Sequence, residues 1–339
     1  MQFLPHPSFK ITFLSISVKK EVEQFLELFL DDSKVIQLQT SGSTGIPKLI
    51  EVEKRYMLNS AKATGSFFGL VEKTTALLCM NPSYIGGKMM LVRAMVLGWK
   101  LDVIEPSSNP LKAMDKSYDF SAMVPLQVQN SITELDKIKK LIIGGGEVSH
   151  QLAQLLENVS TECFATYGMT ETVSHIAVRK INHRVEASKS EFILLPGIRI
   201  SKDDRDCLRI EAPEITSEIV ATNDIVTITS DNSFEWLGRY DNVINSGGVK
   251  LHPERIEKKI EQFIEQPFFV TGISDSVLGQ KLILIIEGEI NENVILSEVK
   301  TINTLNKYEI PKEVYTVPNF IKTETKKIQR KKTLDLLKL

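Results

Sequence analysis

Thr40-Ser41-Gly42-Ser43-Thr44-Gly45-Ile46-Pro47-Lys48 lies between two short apolar runs, Val35–Gln39 and Leu49–Glu53. The two glycines let the backbone turn and point N–H groups at an anion, and the four hydroxyls add donors. That chemistry suits a polyphosphate. The segment is not a Walker A loop, because G-x-x-x-x-G-K-[ST] is absent, and Pro47 with an extended run after it argues against a strand–loop–helix. Taken alone, the segment also reads as a polar hairpin turn.

The chain on either side narrows the choice. Val18, Val22, Phe25, Leu26 and Phe29 recur at helical spacing, which predicts an amphipathic helix over 18–30. Downstream, apolar runs at 76–80, 101–104, 121–124 and 140–143 alternate with helical patterns at 87–98, 125–131 and 149–158. Such alternation predicts a layered α/β domain. Closely spaced strand patterns follow at 192–195, 207–211, 218–221, 225–229 and 234–237, predicting a more antiparallel, barrel-like region. After Asp241 a helix opens at Pro253, a favourable first-turn residue, and runs to about Glu265. Strands at 268–273 and 282–287, a helix at 294–305 and a strand near Val314 complete a compact unit. The expected fold is α/β: a large N-terminal domain at 1–240 with a strand-rich, barrel-like subregion, and a small α+β domain at 241–339.

Composition excludes several classes. The 339 residues carry 41 Lys and Arg against 43 Asp and Glu, a formal net charge of −2. A dedicated binder of nucleic acid or anionic membrane would show a basic footprint, so neither partner is expected. Cys79, Cys163 and Cys207 are far apart and form no C-x-x-C, which predicts a reducing, cytoplasmic compartment. His6, His150, His175, His183 and His252 show no metal-ligand spacing. No apolar run nears the ~20 residues of a membrane span. The N-terminal MQFLPHPSFK lacks the apolar stretch of a signal peptide.

Three further segments carry chemistry. Tyr167-Gly168-Met169-Thr170-Glu171 offers a flat ring, a turn, a hydroxyl for a phosphate oxygen and a carboxylate for Mg²⁺, although Thr-Glu is also a common helix start. Gly238–Glu257 places Arg239 and Asp241 about a turn and the pair Gly247-Gly248 before a capped helix. The stretch from Lys322 to Lys332 holds six cations and one Glu, a pattern that more often marks a solvated face than a catalytic site.

Together, in this order and spacing, the segments resemble the adenylate-forming superfamily of acyl-CoA synthetases, luciferase-like enzymes and nonribosomal adenylation domains. The phosphate loop matches Thr40–Lys48, the Tyr-Gly-x-Thr-Glu motif matches Tyr167–Glu171, and a Gly-Gly-rich strand end matches Gly144–Glu147. The ribose-binding aspartate matches Asp224, the Gly-Arg-x-Asp hinge with its Gly-Gly matches Gly238–Gly248, and the terminal Gly-Lys-Ile-x-Arg matches Lys326–Arg330. The resemblance implies roles. Ser41, Ser43 and Thr44, with Lys48 closing the loop, would hold the β- and γ-phosphates of ATP. Thr170 would contact the α-phosphate and Glu171 would bind Mg²⁺. Tyr167 would stack on adenine, with Gly144, Gly145 and Gly146 lining the base and acyl pockets. Asp224 and Arg239 would bind the ribose. Lys327 would reach the acyl carboxylate and the α-phosphate. Asp241 would be the hinge about which the C-terminal domain turns between half-reactions, and Ser246, Gly247 and Gly248 would line the pantetheine tunnel for coenzyme A.

The sequence also departs from the family. Only 39 residues precede the phosphate loop, where the family usually has well over a hundred, so an exposed apolar face and a homodimer are expected. Lys326 replaces the motif glycine, and Tyr84 replaces a histidine in Ser83–Gly87. The shortened chain and Arg93, on the helix after Tyr84, resemble the o-succinylbenzoate–CoA ligases, in which an arginine binds the substrate's second carboxylate. Such a pair can be bidentate. Tyr84 and Lys88 are weaker candidates for the same pocket, and an ion-paired helix residue is the plain alternative for Arg93. The implied activity is an acid–thiol ligase using a small carboxylic acid, ATP, Mg²⁺ and coenzyme A. Alternatives are a ligase for another aryl or fatty acid, loading CoA or a carrier protein, and a non-catalytic nucleotide-binding regulator on the same fold.

Overall fold

The computed structural model describes residues 3–39, 49–183, 191–323 and 328–337. Ser41, Ser43, Thr44, Lys48 and Lys327 lie outside the described residues. The chain divides into two compact units. The first comprises Met1–Ser201, Arg209–Val220 and Ile228–Phe234, and the second Lys202–Leu208, Ala221–Thr227 and Glu235–Leu339.

The first unit begins with β1 (Lys10–Phe13), α1 (Lys19–Leu30) and the antiparallel pair β2 (Val35–Gln39) and β3 (Leu49–Glu53). It continues through α2 (Lys54–Phe68), β4 (Thr75–Leu78), α3 (Ile85–Leu97), β5 (Lys100–Val103), β6 (Tyr118–Met123), α4 (Pro125–Asn130), β7 (Ile138–Ile143) and α5 (His150–Leu156). β8 (Glu162–Gly168), β9 (His175–Lys180), β10 (Glu191–Leu194) and β11 (Arg199–Lys202) follow. β12 (Cys207–Glu211), β13 (Val220–Ser230) and β14 (Ser233–Arg239) each contribute residues to both units. The sheet order is β1-β5-β4-β6-β7-β8-β9-β10-β14-β13-β12-β11. β1 to β8 in that path pair in parallel, and β9 and β10 turn it antiparallel. The expected α/β class is borne out, with the strand-rich region continuing the sheet.

Buried strands explain the apolar runs. Ala76, Leu77 and Leu78 of β4 and Leu141, Ile142 and Ile143 of β7 are all buried, as parallel strands covered on both faces require. Phe120 of β6 is fully buried between the rings of Phe68 and Trp99, at centroid distances of 5.9 and 5.3 Å. α3 is apolar nearly all round, with Met89 to Met95 buried, so it is an inner helix. Chain order supplies the rest. β5 lies on one side of β4 and β6 on the other, a reversal of the kind beside which open α/β sheets bind ligands, at the carboxyl ends of the strands.

In the second unit β15 (Ile244–Ser246) and β16 (Val249–Leu251) form a hairpin. α6 (Pro253–Ile260), β17 (Phe268–Asp275), β18 (Gly279–Glu287), α7 (Glu292–Lys300), β19 (Glu313–Val317) and α8 (Arg330–Leu334) complete it. β18 alternates. Leu282, Leu284 and Ile286 enter one core with Ile256 and Ile260, while Ile283 and Ile285 enter another with Phe269 and Phe320. Both faces of the sheet are therefore covered. α6 stops at Ile260 rather than near Glu265, because the chain turns there and brings Ile264 into the same core.

Candidate active site

Parallel strands carry their following loops on one edge. Asn81–Tyr84 after β4, Val124 after β6, Gly144–Gly146 after β7 and the turn after β8 all lie at the carboxyl edge of the sheet. Two of the sequence motifs are thus brought to one edge by topology alone. Gly144 N–H donates to Met123 O at 3.1 Å, tying the glycine strand end to β6.

The Tyr167–Glu171 motif closes β8. Gly168 is demanded by close approach: a Cβ there would lie 2.4 Å from Ser174 O and 2.5 Å from the Cα of His175. Register slips between Tyr167 and Gly168, a bulge of the type that re-aims side chains beside active sites. Thr170–Thr172 make one tight turn, held by Met169 N–H donating to Thr172 Oγ1 at 3.1 Å. Val173 then takes φ 64° and ψ −46°, and Ser174 N–H donates to Thr172 O at 2.6 Å. That is a γ-turn of the strained, positive-φ kind, on a β-branched residue. The turn leaves Glu171 exposed and Thr170 half-buried. Tyr167 is half-buried, its ring packing edge-on to Phe234 at 5.2 Å and against Phe192 at 5.7 Å.

Arg93 of α3 reaches this turn. It is 2% exposed, and burial pulls its guanidinium down to about 10. Nη2 donates to Ser174 Oγ at 2.8 Å and meets His175 Nδ1 at 3.3 Å, while Nε lies 3.4 Å from Thr64 Oγ1. No carboxylate among the described residues forms an ion pair with it. Burial, and then Arg93 itself, hold His175 well below the ordinary histidine range, so its ring is neutral. Lys88 and Tyr84 are not brought to Arg93. The ammonium of Lys88 lies over the Phe25 ring of α1 at 5.9 Å, and Tyr84 is an exposed residue capping α3.

The second unit holds the remaining candidates. Asp224 is buried within β13, its Oδ1 accepting the Trp236 indole N–H at 3.1 Å and lying 3.6 Å from Arg239 Nη1. Arg239 Nη2 is 3.3 Å from Asp241 Oδ2, to which Asn223 also donates at 3.3 Å. Ser246 pairs with Val249, so Gly247 and Gly248, at φ 58° and 81°, are the two central residues of a hairpin turn. Both angles fit the primed turns that need glycine. Arg330 makes a double ion pair with Glu257, at 2.5 and 2.7 Å. The partners Ser174, His175 and Trp236 had no signal in the sequence, since each meets its residue only through the fold.

Among the described residues, no group of three or more His, Cys, Asp or Glu could hold a metal ion, and no helix is long and apolar enough to cross a membrane. The three cysteines are buried and free, with burial pushing Cys79 and Cys163 up to about 12.

Comparison with known proteins gives this edge its family. A family model described as AMP-binding enzyme matches residues 30–226, more than half of the chain. The chain belongs to the AMP-binding enzyme family. The resemblance expected from the motifs is borne out, and this family is that of adenylate-forming acyl-CoA ligases. A crystal structure of an acyl-CoA synthetase (AMP-forming)/AMP-acid ligase II-like protein from Dyadobacter fermentans is 40% identical, with 95% of both chains covered and a TM-score of 0.65. A 2-succinylbenzoate–CoA ligase of Staphylococcus epidermidis is 26% identical over 324 residues, 86% of this chain and 68% of that protein. The o-succinylbenzoate coenzyme A synthetase of Bacillus subtilis, in complex with ATP and magnesium ion, shares the fold at a TM-score of 0.75 and 19% identity, covering 88% of this chain and 69% of that one.

Proposed function

We propose that this AMP-binding family member is an ATP- and Mg²⁺-dependent acid–thiol ligase whose acid is 2-succinylbenzoate and whose acceptor is coenzyme A. Arg93 carries the substrate assignment. A buried guanidinium with no carboxylate to offset it is costly, and a charge perturbed in this way marks a candidate ligand site. It lies 2.8 Å from Ser174, three residues beyond Glu171, on the turn that follows the motif assigned to the nucleotide, which supports a pocket for a second carboxylate there. The names borne by relatives at 22–26% identity point the same way.

In this reading a carboxylate oxygen of the acid attacks the α-phosphorus of ATP, and pyrophosphate leaves. The thiol sulfur of coenzyme A then attacks the acyl carbon, AMP leaves, and the thiol proton passes to solvent. Negative charge grows on the α-phosphoryl group in the first step, and Thr170 is the hydroxyl assigned to it. Glu171 is a single exposed carboxylate, which fits a magnesium ion that keeps most of its ligands as phosphates and water. Asp224 and Arg239 are assigned to the ribose, Tyr167 with Gly144–Gly146 to the adenine and acyl pockets, Ser41, Ser43, Thr44 and Lys48 to the terminal phosphates, and Lys327 to the reacting carboxylate. Asp241 is assigned as hinge between domains at 1–240 and 241–339, and Ser246–Gly248 to the pantetheine arm.

Arg93→Ala tests the assignment. Steady-state pyrophosphate release should show KM for 2-succinylbenzoate raised roughly a hundredfold, the scale of a lost charge-assisted contact of about 3 kcal/mol, with KM for ATP unchanged. An unaltered KM for the acid would remove Arg93 from the site and the dicarboxylate with it.

A further inference from the structure

Arginines in protein interiors are usually oriented by carboxylates, because a buried charge is tolerated chiefly when paired. Arg93 is oriented differently. Its described hydrogen-bond partners are a serine hydroxyl, a neutral imidazole nitrogen and a threonine hydroxyl. Each fixes direction without cancelling charge. Guanidinium has no acceptor, so the contact at His175 requires Nδ1 to carry the lone pair and Nε2 to carry the proton. That Nε2 is enclosed and has no hydrogen-bond partner in the described structure. Arg93 Nη1 likewise makes no hydrogen bond to a described residue. The cluster is therefore rich in buried donors and lacks an anion.

The backbone is committed to this arrangement. The strained γ-turn at Val173 and the bulge opposite Gly168 set where Ser174 and His175 leave the β8–β9 connection. Strain at such a turn persists only where the surroundings over-determine it, and it collects at functional sites.

We propose that Ser174 and His175 are positioning residues that hold the Arg93 guanidinium with neutral acceptors, so that its full charge remains for the remote anionic group of the acid substrate. This rests on the dicarboxylic-acid reading above. Nε and Nη2 are taken by these partners, so Nη1 is the guanidinium nitrogen left for that group.

The test contrasts two nearly isosteric variants, His175→Asn and His175→Asp. Both place an oxygen near the Nδ1 position, and only the second brings a negative charge. Binding of 2-succinylbenzoate and of Mg-ATP to the whole chain is measured by calorimetry. His175→Asn should bind the acid within threefold of the wild type, and His175→Asp at least tenfold more weakly, with Mg-ATP affinity equal in all three. Equal affinity of the two variants for the acid would overturn the proposal, since charge would then not matter. A variant that does not fold is replaced by a measurement on the wild type: ¹⁵N NMR of the His175 ring, with Nδ1 unprotonated as expected and the opposite tautomer contradicting it. A wild type that binds Mg-ATP but not 2-succinylbenzoate would fail the substrate reading itself, and the inference with it, and is distinguished by needing no variant.

Discussion

At the scale of single residues, the chemistry turns on what surrounds a charge. Arg93 sits in an apolar helix and His175 is kept neutral against it, both by burial first. The same environment makes a stability prediction. His175 has a folded-state pKa depressed below its ordinary 6.5, so its unfolded form binds the extra proton first and acid favours unfolding. The contribution is fully present above pH 6.5 and is lost as pH falls below it. Thermal unfolding of the wild type against His175→Asn should therefore show the wild type losing ground between pH 6.5 and 5, by at most ~1.4 kcal/mol per pH unit. A gap that stays constant over that window would mean that folding does not depress the ring's pKa. His252, depressed by burial in the same direction, is present in both proteins and cancels.

At the scale of elements, packing rather than propensity decides. Phe120→Ala, between Phe68 and Trp99, should cost about 3–5 kcal/mol in chemical denaturation. A loss under 1 kcal/mol would mean the β6 face is not packed as described. Most strands and helices were legible because their apolar periods are intact, whereas β1, β9, β11 and the short hairpin β15–β16 carry too few apolar residues in alternation to be read. α2 was not legible either, and its buried face explains why: Ser60, Ala61, Thr64 and Gly65 share it with Tyr56, Met57 and Phe68. Small and polar residues let α3 approach there and let Thr64 serve Arg93, so the apolar stripe is broken where the site is built. β13 read as two strands for a related reason. Thr222-Asn223-Asp224 looks like a turn, yet it lies in the middle of one eleven-residue strand, where Asp224 takes the Trp236 indole as partner. Local rules fail where a functional residue displaces an apolar one. The motifs at Gly144–Gly146 and Tyr167–Glu171 were readable in themselves, but the link from Arg93 to Ser174 and His175, 81 and 82 residues away, exists only after folding.

At the scale of the whole molecule, the residues assigned to ATP are distributed between the two units, with Tyr167, Thr170 and Glu171 in the first and Asp224 and Arg239 in the second. The most direct measurement is pyrophosphate release from Mg-ATP by the 339-residue chain across a panel of carboxylic acids, with and without coenzyme A. Release with 2-succinylbenzoate, giving a thioester when coenzyme A is present, is the predicted result. Release with fatty or simple aryl acids but none with 2-succinylbenzoate would contradict the substrate. The absence of release with every acid, together with no binding of ATP, would contradict the ligase itself.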